Sequence, residues 1–329
     1  MTEGQAEDLA GQRVLVTGGA GVIAGELLAR LSAAGARVLS VDRLPLADPP
    51  PGVEHLEGDL ATIDLAPLAR FRPRHILHLA ATFERSVESP EFWAENWNDN
   101  VVASHRLAEL AESAGAVDTF VFASSYLVYD PSQYLSDAPP TAATPLDEAA
   151  RLRPRNLCGA AKLYAEAEIE FMRRVRGLSF RSAHARIFRV YGRGSKDVVS
   201  RWVRAALAGE AVEVYHPENR FDYVFAGDVA EGLLRMVQSP AADGAINLAS
   251  GAARPVSDVI RAVEAATGTR LAARQRDVDE PFEASQADLT RLRAATGWTP
   301  PTDLDAGVRL LVEFERDRAA PRSEASRAP

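Results

Sequence analysis

Cysteine is almost missing from this chain of 329 residues, with Cys158 the only one. A lone thiol excludes an internal disulfide framework and a multi-cysteine metal site, so no metal centre is expected. No apolar run approaches the roughly 20 residues that span a bilayer. Residues 1–8 lack both the basic and the apolar part of an export signal, and a cytoplasmic location is expected. No sustained Lys/Arg block exists either: 37 basic residues face 46 acidic ones, for a formal charge of −9. Neither nucleic acid nor an anionic membrane is an expected partner of such a surface. Repeats and low-complexity segments are lacking as well. A composition of 47% hydrophobic and 25% charged residues is that of an ordinary soluble α/β chain with a sizeable core.

The most informative segment runs from Arg13 to Gly25: a short apolar strand, a glycine-rich turn, then an apolar helix opening. Glycines without Cβ let the backbone approach a pyrophosphate, and amides at the helix N-terminus face its negative charge. Gly18, Gly21, Val22 and Ile23 are therefore candidate cofactor residues. A second strand, 37–42, ends in Asp42 about 20 residues downstream, the spacing at which a carboxylate reaches adenosine ribose hydroxyls. That favours NAD over NADP, although the next residue, Arg43, could accommodate a 2′-phosphate.

Further strands are read near 53–57, 74–79 and 118–123, with helices between them, long helices over 90–115 and 156–176, and a strand over 179–188. This alternation predicts a Rossmann-like, doubly wound parallel sheet with ligands at the carboxyl ends of its strands. Beyond residue 188 the rhythm loosens into pieces at 195–209, 212–215, 221–225, 227–238, 256–268 and 303–317. The expected organisation is a frayed tail over 1–11, an NAD-binding domain over 12–188, a mainly substrate-binding lobe over 189–317 with some segments returning to the sheet, and a tail over 318–329. The Pro-, Ala- and Ser-rich stretch 130–155 reads as a loop beside the active site.

Several ordered segments carry a resemblance. Thr17 to Ala24 looks like TGGxGxxG, with Ala24 in the third glycine's place; Gly58-Asp59-Leu60 looks like GDL, and His78-Leu79-Ala80-Ala81 like HLAA. Asn100 to Ser104 matches NVxGT, Ala123 to Tyr129 matches ASSxxVYG, Arg186 to Gly192 matches RxFNVYG, and Gly297 to Pro300 matches GWxP. The chain thus resembles the extended short-chain dehydrogenase/reductases, the nucleotide-sugar epimerase and dehydratase family. The resemblance implies that Asp59, Leu60, Leu79, Ala80 and Ala81 line the cofactor, with Thr82 beside the substrate. Some of these residues also have plain readings: Asp59 as a helix cap, His78 as a hydrogen-bonded structural histidine, Asn100 as a bridging polar residue and Trp298 as core.

The resemblance also implies a catalytic set, and here one member has changed. The family carries Tyr and Lys four residues apart on one helix face, where i and i+4 are neighbours. Lys holds the nicotinamide ribose and lowers the phenol pKa, and a Ser or Thr steadies the reacting oxygen. Ser125 and Lys162 occupy the serine and lysine positions, but Cys158 stands where the tyrosine belongs. Cys158 could act through a water: a thiol titrates near 8.5 against about 10 for a phenol, but its sulfur stops roughly 3–4 Å short of a tyrosine hydroxyl. Tyr126, where the family's dehydratases carry an acid, is an alternative proton carrier expected to face the substrate. In a third reading redox chemistry is lost and Cys158 is a small packed hydrophobe.

Tyr126 and Leu127 replace the acidic side chains of dehydratases and decarboxylating relatives, which leaves epimerisation through a ketone or keto-sugar reduction. Arg189 replaces the family's substrate-contacting Asn, Arg193 follows where Pro is common, and Phe221 replaces a phosphate-holding Arg with Arg220 one residue earlier. Arg189, Arg193 and Arg220 are candidates to converge on a diphosphate or carboxylate. The expected activity is that of an NAD-dependent nucleotide-sugar epimerase in a specialised pathway, the alternatives being a keto-sugar reductase or a redox-silent binding protein. A homodimer through helices 90–115 and 156–176 is expected.

Overall fold

The computed structural model describes residues 8–82 and 89–319. The chain starts with β1 (Arg13–Thr17), α1 (Val22–Ala33), β2 (Arg37–Asp42), β3 (Val53–Glu57), α2 (Ala66–Phe71) and β4 (His75–His78). A long helical run follows as α3 (Pro90–Asn96), a π-helical segment (Trp97–Val102) and α4 (Ala103–Ala114), leading into β5 (Thr119–Ser125). After the short strands β6 (Leu135–Ser136) and β7 (Thr144–Leu146) come α5 (Leu157–Arg176), β8 (Arg181–Ile187) and β9 (Arg189–Tyr191). The remainder is α6 (Val198–Ala208), β10 (Ala211–Tyr215), β11 (Arg220–Phe225), α7 (Ala226–Gln238), β12 (Gly244–Leu248), β13 (Ala253–Pro255) and α8 (Val256–Thr267). It closes with β14 (Ala272–Arg276), β15 (Phe282–Ala287), α9 (Thr290–Thr296) and α10 (Leu304–Ala319).

Seven strands form one parallel sheet in the order β12-β8-β5-β4-β1-β2-β3. The direction of winding reverses between β1 and β4, which opens a crevice at their carboxyl ends. Strands buried on both faces need continuous apolar runs. Leu15 and Val16 of β1 and Phe120, Val121 and Phe122 of β5 meet that need, all fully buried. One face packs on Leu27, Leu28 and Leu31 of α1 and Val229, Leu233 and Val237 of α7; the other packs on Leu107 and Leu110 of α4 and Ile169 of α5. A separate apolar cluster, with Val199 and Trp202 of α6, Val259 and Val263 of α8 and Leu311 of α10, makes the core of the smaller lobe.

The expected doubly wound parallel sheet is the one found. Among the parts of the second half that return to the large sheet are residues 244–248, α7 and, through Leu292, α9. The expected frayed tail needs correction at residues 8–11: Leu9 is buried in the sheet's core, and the Gly11 amide bonds the Gly35 carbonyl. Its first seven residues, and 320–329 of the C-terminal one, lie outside the described residues. Within the stretch read as a loop, β6 and β7 pair with β15 of the smaller lobe.

Candidate active site

The cofactor candidates converge at the sheet's switch point. Gly18 and Gly21, Asp42 and Arg43 after β2, Gly58 to Leu60 after β3, Leu79 to Ala81 after β4, and Asp99 and Ala103 line one groove. Gly18 has φ +76°, and a Cβ there would sit 2.7 Å from the Ala80 amide nitrogen, so only glycine keeps the turn close to the end of β4. Gly21 opens α1 with no side-chain cap, leaving the amides of Val22 and Ile23 without helical carbonyl partners. A cradle without Cβ atoms, open amides at a helix start and an acid at the end of β2 fit a dinucleotide.

The Asp42 carboxylate accepts from the amides of Ala20 (3.1 Å) and Leu44 (2.9 Å), which fixes it at the groove wall. Arg43, the residue that left NADP open, pairs with Asp99 of the π-helical segment at 2.9 Å. Burial raises the Asp99 pKa and the Arg43 charge opposes that rise. Asp59 caps the turn after it by accepting from the Ala61 amide at 2.8 Å.

The candidate catalytic residues Ser125, Cys158 and Lys162 lie on β5 and α5. Asn156 caps α5 by accepting from the Gly159 amide at 2.8 Å. A Cβ on Gly159 would fall 2.4 Å from the Leu127 carbonyl oxygen, so this glycine lets α5 abut the turn after Ser125. Cys158, Lys162 and Glu166 follow at intervals of four along one buried face of α5. Lys162 holds its Nζ 4.7 Å from the Phe122 ring centroid, and desolvation lowers its pKa to about 8, against opposing pulls from Cys158 and Glu166. Glu166 pairs with Arg186 (2.8 Å) and accepts from Ser124. Ser125 accepts from the Leu127 amide at 3.2 Å.

Tyr126, expected to face the substrate as an alternative proton carrier, is buried and belongs to a different group. Its ring stacks on Phe188 with centroids 5.1 Å apart, and its hydroxyl donates to Glu283 at 3.2 Å. Burial pushes its pKa well above the ordinary phenol value. A buried phenol tied to a carboxylate is a poor base, because its ionised form would lie beside another negative charge.

The three arginines do not converge, a second correction. Arg193 pairs with Glu26 of α1 at 2.8 Å, and the Arg220 Nε bonds the Pro140 carbonyl at 3.2 Å. Only Arg189 reaches the Tyr126 group, pairing with Glu283 at 3.2 Å and stacking over Phe221 at 3.7 Å. Thr82 is half-buried, its hydroxyl donating to Glu95 (2.6 Å) and its amide to Asn100 (2.9 Å). Asn100 bridges Thr82 and Asn96, and His78 sits between Thr17 (2.7 Å) and Ser104 (2.9 Å) as a buried structural histidine. Sequence reasoning missed Asp99, Gly159, Arg155 and Glu283. Gly159, inside the family's motif, carried a readable signal; Glu283 lies on a strand that had not been foreseen.

A strand-turn-helix groove with Gly18 and Gly21 at its turn and Asp42 at the end of the next strand is that of a dinucleotide-binding, doubly wound protein. Residues 14–249 match the model of the NAD dependent epimerase/dehydratase family, and the chain belongs to that family. It is 31% identical to a UDP-glucose 4-epimerase of Mycolicibacterium smegmatis, over 93% of this chain and 99% of that one. Among solved structures, MoeE5 in complex with UDP-glucuronic acid and NAD is 29% identical with a TM-score of 0.81, covering 93% of this chain and 99% of that chain. The Thermus thermophilus UDP-glucose 4-epimerase, solved with NAD, is 26% identical with a TM-score of 0.78 and the same coverages. The expected family and its NAD cofactor are thus those found.

Proposed function

We propose that this chain is an NAD-dependent epimerase of a nucleotide-activated sugar, oxidising one sugar carbinol reversibly through a transient keto form, in a specialised sugar pathway. The observation that carries this reading is the buried Lys162 beside Cys158 on α5, across from Ser125 at the end of β5. It is supported by the relatives above, which include UDP-glucose 4-epimerases. Asp42 takes the adenosine ribose hydroxyls, Gly18, Gly21, Val22 and Ile23 the pyrophosphate, and Asp59, Leu60 and Leu79 to Ala81 the remaining length. NAD supplies a site that accepts hydride and gives it back, which inversion at one carbon requires.

Ser125 steadies the reacting sugar oxygen. Lys162, half protonated near pH 8, places a positive charge beside the oxygen and sulfur that exchange the proton. Cys158 takes that proton through one bridging water, because its short side chain does not span the distance a tyrosine would. The absence of acidic groups at Tyr126 and Leu127 disfavours dehydration. A homodimer through the helical run 90–115 and α5 is part of this reading, supported by exposed Tyr164, Phe171 and Val175 on α5 and the exposed stacked pair Trp93 and Trp97 on that run.

The test is incubation of purified protein with UDP-glucose or UDP-glucuronic acid in deuterated water. Inversion at one carbon, without solvent deuterium and without net NADH consumption, is expected. Stoichiometric use of NADH on a keto-sugar would make the protein a reductase, and tight binding without turnover would make it redox-silent.

A further inference from the structure

Glu283 is the most heavily bonded carboxylate near the site, and it is 3% exposed. One oxygen accepts from Arg155 and from Arg189 (3.2 Å); the other accepts from Tyr126 (3.2 Å) and Ser285 (2.9 Å). The two guanidiniums are not sequestered with it: their side chains are 34% and 36% exposed. The carboxylate is therefore buried more deeply than the two cations that hold it. Two positive charges meet one negative charge, so one positive charge is left over. Arg189 also keeps its Nε buried with no hydrogen-bond partner among the described residues, while its plane rests on the Phe221 ring. A buried donor without an acceptor is costly, and a guanidinium held flat by a ring and anchored at one edge offers its other edge to an incoming oxygen.

The location is that of a ligand. Arg189 opens β9 two residues beyond Ile187, the last residue of β8, which is in register with Ser125, and Tyr126 comes next in the chain after Ser125. The group thus lies over the carboxyl ends of β5 and β8, where ligands of doubly wound sheets bind. Arg155 immediately precedes the cap of α5, and Glu283 reaches in from β15 of the smaller lobe.

We propose that Arg155 and Arg189, braced by Glu283, form an anion receptor in the substrate cleft that binds a doubly bonded oxyanion group of the substrate. This rests on the reading of the cleft as a nucleotide-sugar site. Two substrate groups share that chemistry, the diphosphate and a carboxylate on the sugar. Phe221 thereby becomes the platform of the receptor.

Binding separates the possibilities. Calorimetric titration of the full chain with uridine, UDP, UDP-glucose and UDP-glucuronic acid is compared for wild type, Arg189→Met and Arg155→Met. Each variant leaves Glu283 one cation, and the second keeps the test open if the first does not fold. Loss of a charged donor pair is expected to weaken the affected ligands about tenfold or more. An equal loss for UDP and both UDP-sugars, with uridine unchanged, assigns the receptor to the diphosphate; a loss confined to UDP-glucuronic acid assigns it to the sugar carboxylate. Arg189→Lys recovers part of the loss. Wild-type binding that neither variant changes overturns the proposal alone. Failure of the wild type to bind any of the UDP ligands overturns the nucleotide-sugar reading and the receptor with it.

Discussion

Replacing Cys158 with alanine removes the group placed to exchange the sugar's proton and also changes the lysine one turn away. Holding the Lys162 ammonium at about 8 instead of 10.5 costs its charged form roughly 3 kcal/mol. Cys158 is one of two groups that oppose this depression, Glu166 being the other. Cys158→Ala is therefore expected to move the Lys162 pKa further down. If protonated Lys162 is the active form, activity falls as pH rises through about 8 in the wild type, and at a lower pH in the variant. Loss of a positioned proton acceptor should also cut kcat by about 10²- to 10⁴-fold. The assay is the pH profile of kcat and kcat/KM for epimerisation, with NAD content and thermal stability as controls on folding. Tyr126→Phe is the companion variant. Its hydroxyl lies on Glu283 and not among the charges that act on Lys162, so kcat should change by less than about tenfold. A Cys158→Ala enzyme with wild-type kcat and an unmoved alkaline limb, beside a Tyr126→Phe enzyme that is dead, would refute this assignment and return the proton to the phenol.

Two further outcomes follow from the buried charges. Asp99→Asn frees Arg43 from its 2.9 Å ion pair at the groove, so NADP affinity should rise about tenfold relative to NAD by calorimetry of the cofactor-free chain; an unchanged ratio would show that Asp42 alone sets the preference. Burial lowers the pKa of His78 to about 3 and of His75 to about 4, so the unfolded chain binds more protons below pH 6.5 and stability is lost as pH falls from there. Each histidine should cost up to roughly 1.4 kcal/mol per pH unit, and His78→Asn should remove its share of that slope in urea titrations between pH 7 and 5, which an unaltered slope would contradict.

The parts of the site that were legible in the sequence are those whose chemistry is local. A glycine turn, the acid closing the next strand and a lysine four residues from a changed tyrosine each impose a backbone or a spacing that shows in a few consecutive letters. For the same reason α5 was readable to within a residue: Asn156 caps it, Gly177 ends it, and the apolar face repeats between them. What was not legible depends on partners far apart in the chain. β15 reads FEASQA, with small and polar residues where a strand signal needs branched or aromatic ones, and it is a strand because it is wedged between β11 and β7. No local pattern says that its Glu283 meets residues 126, 155 and 189. Nor does one say that Arg193, only four residues beyond Arg189, turns to α1 instead. The β9 strand ends at Tyr191 and a turn follows through Gly192 and Gly194, so the two side chains leave the backbone on different walls. A cluster of arginines in sequence is thus no forecast of a cluster in space, and the cation that matters for binding is found by asking which guanidinium has more charge than its neighbours cancel.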